Sequence, residues 1–320
     1  MSSRLEDVPW WRSARAYGTF LAVLGCLSVA PDSLFIRLAE VEQGGVCGTF
    51  YKYTAKGVVV TFGLICYFGG PQAFIAECGK LGRYFFILAA CEGVQCLTWN
   101  LAILTTAVAN GMVFILVTPA WCLMWTSLLT DRSTPRYTVV ASCIALGWAV
   151  IIFIQSRYST RGVESLFGDL IAIFCGMDYG LYLTLAAEAQ RKYPDANCLV
   201  VFTLGSAVSV LGCYFMIDGD VLQDCYPRSG VPGYSWSFMD GILTLTAIGC
   251  ISISTKYCPA VVAGLACIVE AITEPYVVWF VLGETPLRST VVLGAVLCIT
   301  LVVHEVVAHL YPSEKCSHVT

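Results

Sequence analysis

Apolar runs long enough to cross a membrane recur from one end of the chain to the other. A helix of roughly 20 mainly apolar residues spans the hydrocarbon layer, because each residue adds about 1.5 Å against some 30 Å of thickness. Ten segments reach this length, and we expect helices at residues 16–36, 50–69, 84–104, 107–129, 137–155, 168–187, 198–217, 239–256, 259–282 and 289–309. The pattern predicts an all-α integral membrane protein with ten transmembrane helices.

Glycine and proline mark the short polar stretches between these segments, as at residues 69–71 and 193–195. Such residues favour turns, and short turns force neighbouring helices to run antiparallel. The longest polar connection lies at residues 218–238. We expect Pro119 and Pro275 to kink the fourth and ninth helices, since proline removes a backbone hydrogen bond.

A weak internal repeat relates the two halves of the chain. Residues 107–111 realign with residues 260–264 at an offset of 153 residues. Each half holds an odd number of predicted helices, five, so the second copy would enter the membrane from the opposite side. We therefore expect two inverted five-helix repeats, residues 1–160 and 161–320, an arrangement that recurs in secondary transporters.

Composition agrees with a membrane location. The chain is 58% hydrophobic and 12% charged, with a mean hydropathy of +0.75, whereas soluble domains carry roughly 25% charged residues. The net charge of -4 provides no basic surface for a phosphate backbone, so nucleic acid is not an expected partner. Lysine and arginine are more frequent in the connections on one side, which places both termini in the cytoplasm.

Many of the 17 cysteines lie inside apolar runs, where a thiol behaves as a small hydrophobic group. We therefore expect no metal, no cofactor and no general role for disulfides. Cys47, Cys78 and Cys225 lie in predicted connections and are the candidates for pairing.

Several short motifs resemble the drug/metabolite transporter superfamily, in particular its ten-helix branch built from two EamA repeats. The residues that carry the resemblance are Phe50–Lys52, Thr106–Asn110, Thr130–Arg132, Gly168–Leu170, Cys258–Gly264 and Leu282–Glu284. The chain departs from the family pattern where Ala271 replaces a proline after Glu270, while Glu274 and Pro275 supply such a pair one turn later. The resemblance implies a transporter and makes Asn110 a candidate binding residue.

Few ionisable groups lie deep in the predicted helices, and each is costly there unless it meets a partner or a cavity. Glu270 and Glu274 are four residues apart and share a helix face. Two close carboxylates tend to share a proton, which favours a proton or cation site. The alternative is that one of them satisfies the backbone near Pro275 or pairs with Lys52 or Lys56.

Two further clusters are candidates for binding. Glu92, Gln95 and Trp99 form a polar stripe on the third helix, either a cavity wall or a set of hydrogen bonds between helices. Asp178 with Tyr179 and Tyr182 on the sixth helix would suit an amine or a sugar hydroxyl.

Lys52 and Lys56 are also four residues apart. They would attract an anionic solute, or extend their ammonium groups to the membrane surface, which we favour.

These features predict a secondary-active transporter of a small metabolite, such as an amino acid or a similar neutral or zwitterionic solute, with proton coupling as a hypothesis. Nucleotide-sugar, sugar-phosphate and organic-acid transport are alternatives, and the first two are disfavoured because no arginine lies deep in a predicted helix. A receptor or an intramembrane enzyme is a different class, and the H-E-x-x-H and G-x-S-x-G motifs are absent. The expected partners are the solute and the bilayer, with the chain a monomer or a homodimer.

Overall fold

The computed structural model describes residues 13–106, 108–131, 134–157, 166–217, 225, 232–283 and 288–310, and these residues form helices without a β-strand. Each predicted apolar segment overlaps one helix or an interrupted pair. Within these described residues, six helices are long and apolar enough to cross a membrane, or seven if one bent pair counts as a span. The chain thus has the helices of a multi-pass membrane protein, while ten spans and two inverted repeats stay predictions.

The first predicted helix is interrupted. It consists of α1 (Ala14–Val29) and α2 (Asp32–Gln43), separated at Pro31, whose missing N–H cannot continue the helical hydrogen bonds. Gly44 has a φ of 85° and turns the chain into α3 (Gly45–Phe68).

A short helix follows at an angle. Gly69 and Gly70 have φ values of 81° and 141°, which residues other than glycine rarely adopt. The chain bends there by 99° into α4 (Pro71–Lys80).

The middle of the chain contains uninterrupted helices. They are α5 (Arg83–Thr105), α6 (Val108–Leu129), α7 (Arg136–Arg157), α8 (Leu166–Lys192) and α9 (Val201–Met216), the last preceded by a 3₁₀ turn at Cys198–Val200. Pro119 lies inside α6, which continues past it.

The last helices are α10 (Pro232–Ser254), α11 (Ala260–Ala266), α12 (Ile268–Leu282) and α13 (Arg288–Leu310). The interruption in the ninth predicted helix lies at Cys267 and not at Pro275, which is inside α12. The Cys267 N–H donates to the Gly264 carbonyl at 3.2 Å, so the backbone tightens into a 3₁₀-type turn there.

Helices from the two predicted halves pack directly on each other. α1 lies against α10, α3 against α9 and α10, and α5 against α8 and α9. A Cβ atom added at Gly93 would lie 2.6 Å from the Gly205 carbonyl oxygen, so only glycine permits α5 and α9 to approach this closely. Large apolar side chains such as Phe62, Phe215 and Phe280 point outward, as a lipid-facing surface requires.

In the part of the chain that the structure describes, one pair of cysteines is oxidised. A disulfide joins Cys47, in the first turn of α3, to Cys225, in the connection between α9 and α10. Cys78, the third pairing candidate, is free. The disulfide thus joins two of the three predicted candidates, although disulfides were not expected to have a general role. The partners are 178 residues apart, and sequence spacing alone does not reveal that their two connections meet.

Candidate functional site

A cavity lies in the interior of the helix bundle, with about 590 Å³ of empty space including its mouth. Its polar wall includes Asp32, Gln95, Trp99, Tyr179 and Glu270, together with apolar residues of α1, α8 and α10. The cavity therefore combines carboxylates with aromatic rings.

Asp32 is held in place by three donors from different helices. The Lys52 ammonium donates to its Oδ1 at 2.6 Å, and the Thr244 hydroxyl donates to the same oxygen at 2.9 Å. The Trp99 indole donates to Oδ2 at 2.7 Å. Asp32 is also the first residue of α2, where the helix dipole favours a negative charge. The break at Pro31 thus places a fixed carboxylate on the cavity wall.

Lys52 bridges two carboxylates. Its ammonium lies 3.0 Å from Asp240 as well as 2.6 Å from Asp32, and all three side chains are at most 2% exposed. The prediction that Lys52 extends to the membrane surface is wrong, because α2 and α10 supply partners inside the bundle. We call Asp32, Lys52 and Asp240 the charge triad. Lys52 and Asp240 also line a second, smaller space of about 180 Å³.

Lys56 is paired in the same way. It forms a fully buried ion pair with Glu92, and the Cys96 thiol donates to the same carboxylate oxygen at 3.2 Å. The prediction that Lys56 extends to the surface is therefore also wrong. The predicted polar stripe divides, because Gln95 and Trp99 line the cavity whereas Glu92 does not.

Glu270 and Glu274 have different surroundings despite their shared helix face. Glu270 lies in the first turn of α12, is 7% exposed and lines the cavity. Its carboxylate is the one on the cavity wall for which the described residues provide no hydrogen bond or ion pair. Glu274 is fully buried and accepts the Ser33 N–H at 2.8 Å. Glu274 therefore caps α2 instead of supporting the backbone near Pro275.

The predicted cluster on α8 does not converge on one site. Tyr179 lines the cavity, and its hydroxyl oxygen accepts from the Cys267 thiol at 3.6 Å. Asp178 is 8% exposed and is not part of the cavity wall. Tyr182 shares a hydrogen bond of 2.6 Å with Ser252, which joins α8 to α10. Asn110 belongs to α6, but its side chain lies outside the described residues.

Acidic groups outnumber basic ones in the described interior of the bundle. The buried carboxylates are Asp32, Glu77, Glu92, Asp169, Asp178, Asp240, Glu270 and Glu274, and the buried ammonium groups are Lys52 and Lys56. An uncompensated buried charge costs several kcal/mol. The surplus of carboxylates must therefore be offset by protons or by a bound cation.

Two members of the charge triad, Asp32 and Asp240, were not among the residues predicted from sequence. Asp240 falls at the start of a predicted helix, where an acidic residue is ordinarily interfacial. Asp32 follows Pro31 inside an apolar run, and that proline is the one signal that could have marked it.

Neither a protein-family model nor a curated protein matches the chain. A solved structure described only as "Crystal structure of protein" superposes on it with a TM-score of 0.62. The superposition covers 94% of this chain and 99% of that chain, at 16% sequence identity. At this identity the likeness shows a shared fold and nothing about function.

Proposed function

We propose that the protein is a secondary transporter of the drug/metabolite transporter superfamily, with ten spans in two inverted repeats. It carries a small solute with an amino group, an amino acid or a similar compound, by alternating access. The observation that carries the proposal is the interior cavity, where the Glu270 carboxylate lacks a partner among the described residues.

The chemistry of the cavity favours an ammonium group over an anion. Glu270 offers a negative charge, and the Trp99 and Tyr179 rings on the same cavity wall are suited to cation–π contact. Lys52 and Lys56 both have carboxylate partners, so neither is available to attract a phosphate. This argues against nucleotide sugars and sugar phosphates.

The charge triad has the position of a gate. Asp32 lines the large cavity, whereas Lys52 and Asp240 line the small one, next to Gly45 and Gly48 in the first turn of α3. Opening the cavity toward that end requires α2, α3 and α10 to separate and the two ion pairs to break. Alternating access in transporters uses such discrete rearrangements of packed helices.

The disulfide supports an orientation. Cys47 lies in the same first turn of α3, so the gate and the disulfide are at one end of the bundle. Disulfides persist in oxidising compartments, which favours a position of that end outside the cytoplasm. The distribution of lysine and arginine favours the same side, with both termini in the cytoplasm.

The surplus of buried carboxylates supports proton coupling. A carboxylate that is neutral in one conformation and charged in the other links solute movement to a pH gradient, because its environment changes as the gate opens.

The test is uptake by purified protein in liposomes. Labelled amino acids, sugars, nucleotides and organic acids are offered with and without a pH gradient. We expect saturable uptake of an amino compound that responds to the gradient and is lost in Glu270→Gln. Glu188→Gln is the matched control, because Glu188 forms a surface ion pair with Arg191 and should transport like the wild type.

Other outcomes would redirect the proposal. Uptake of an anion alone would contradict the amino-solute assignment. Uptake that ignores the pH gradient would refute proton coupling. Folded protein that transports none of the four classes would favour a receptor or an enzyme.

A further inference from the structure

Two thiols and a carboxylate meet beside the cavity. The Sγ atoms of Cys26 and Cys267 and a carboxylate oxygen of Glu270 all lie within 4.8 Å of one another. Cys26 is on α1, and Cys267 is the residue at which α11 and α12 are separated. Glu270 follows three residues later, so one interrupted helix supplies two of the three groups.

We propose that Cys26, Cys267 and Glu270 bind a thiophilic divalent cation of the zinc class. Cysteine thiolates and glutamate carboxylates are both ligands of Zn²⁺ in proteins. A tetrahedral ion with Zn–S distances of about 2.3 Å holds two sulfur atoms about 3.8 Å apart. Small side-chain rotations therefore bring the three groups to coordination distance. This assignment does not depend on transport.

The surroundings fit a cation for two further reasons. Glu270 has no hydrogen bond or ion pair with another described residue, so its carboxylate is free to coordinate. The bundle interior also contains more carboxylates than ammonium groups, and a divalent ion would offset part of that surplus.

The site has an accessible side and a supporting residue. Cys26 and Cys267 are fully buried, whereas Glu270 lines the cavity, so an ion would enter from the cavity. Three protein ligands leave a fourth position for water or for a solute in the cavity. The Tyr179 hydroxyl, now an acceptor from Cys267 at 3.6 Å, can turn to donate to the thiolate, which is a common second interaction around metal ligands.

Coordination has a defined proton balance. Each thiol loses its proton when its sulfur binds the ion, and the Glu270 carboxylate binds in its ionised form. Binding should therefore release about two protons per ion, or three if Glu270 begins protonated. No electron transfer is involved.

The test uses the full-length purified protein, stripped with a chelator and titrated with Zn²⁺ alone against a chromophoric competitor. We expect one high-affinity ion per chain, with release of two to three protons. X-ray absorption at the zinc edge should show two sulfur neighbours at about 2.3 Å and oxygen neighbours at about 2.0–2.2 Å.

Variants locate the ion. Cys267→Ala and Glu270→Gln should each weaken zinc binding by about 100-fold. Replacing a residue that only hydrogen-bonds to a metal ligand already lowers metal affinity by about 10- to 100-fold, and these two residues would be ligands themselves. Cys213→Ala is the matched control, because Cys213 is equally buried but lies on α9. It should bind like the wild type.

Three results would overturn the site. They are no zinc bound by the wild type, an equal loss in Cys213→Ala, or a Cys26 to Cys267 disulfide found in the untreated protein by peptide mapping. If Cys267→Ala does not fold, the absorption spectrum of the wild type and the Glu270→Gln titration still decide the question. The transport assay can fail without affecting any of these readouts.

Discussion

Lys52 holds two buried carboxylates together, and replacing it with methionine should strongly destabilise the protein. Methionine keeps most of the side-chain volume but removes the ammonium group that Asp32 and Asp240 share at 2.6 Å and 3.0 Å. Removing one partner of a buried ion pair costs about 3–5 kcal/mol, because the remaining charge has no compensation.

The cost translates into a measurable melting shift. The entropy of unfolding is about 2.1 cal/mol/K per residue near 60 °C, hence about 0.7 kcal/mol/K for 320 residues. A loss of 3–5 kcal/mol then lowers Tm by about 4–7 °C. Helices that persist in the unfolded state in detergent make the entropy of unfolding smaller, and the same loss of free energy then lowers Tm further. Tryptophan fluorescence during heating in detergent, at one fixed scan rate, measures it.

Lys80→Met is the matched control. Lys80 lies 2.6 Å from Glu77, the same distance as in the buried pair, but its side chain is 52% exposed. Glu77 is buried, and it still accepts the Asn197 N–H at 2.8 Å after Lys80 is replaced. Surface pairs contribute about 0–1 kcal/mol, so this variant should melt within about 1.5 °C of the wild type. Adding Asp240→Asn to Lys52→Met should recover part of the loss, because one unpaired charge is removed. Equal melting of the two lysine variants would refute the buried triad.

Three further outcomes follow from particular contacts. Gly93→Ala should lower the free energy of unfolding by about 1–3 kcal/mol, because its Cβ would lie 2.6 Å from a backbone oxygen of α9. Gly63→Ala, whose Cβ would have nothing within 4 Å, should melt like the wild type. Equal melting of the two variants would contradict the close approach of α5 and α9. Peptide mapping without reductant should find Cys47 joined to Cys225, and two unlinked peptides would contradict the fold at that end. Trp99→Phe keeps an aromatic ring but removes the N–H that donates to the buried Asp32 carboxylate. We expect the free energy of unfolding to fall by about 1.5–3 kcal/mol in the same melt. An unchanged melt would argue against that hydrogen bond.

The positions of the helices were largely predictable, because hydrocarbon accepts only long apolar helices whose backbone is internally bonded. The prediction of residues 84–104 matches α5, Arg83–Thr105, to one residue at each end. The interruptions were harder to predict. Pro119 leaves α6 continuous, whereas the chain breaks at Cys267, where no proline stands. Whether a helix continues depends on which partners are available to its backbone, and a local pattern does not contain them.

The candidate site was predictable in part. Gln95, Trp99, Tyr179 and Glu270 stood out as polar or aromatic groups deep in apolar runs, and all four line one cavity. Lys52 stood out as well, but its local pattern suited a surface position, because its two partners lie on distant parts of the chain. A buried ion pair is a tertiary feature, and one sequence shows each charge without showing which charges meet.

The most direct test of the central claim is solute counterflow in liposomes that contain the purified protein. The vesicles are loaded with unlabelled solute from the amino class, and labelled solute is added outside. A carrier whose cavity opens alternately to each side should accumulate label transiently above equilibrium, and Glu270→Gln should abolish this overshoot. Label that only equilibrates, or an overshoot unchanged in Glu270→Gln, would contradict alternating access through the cavity that Glu270 lines.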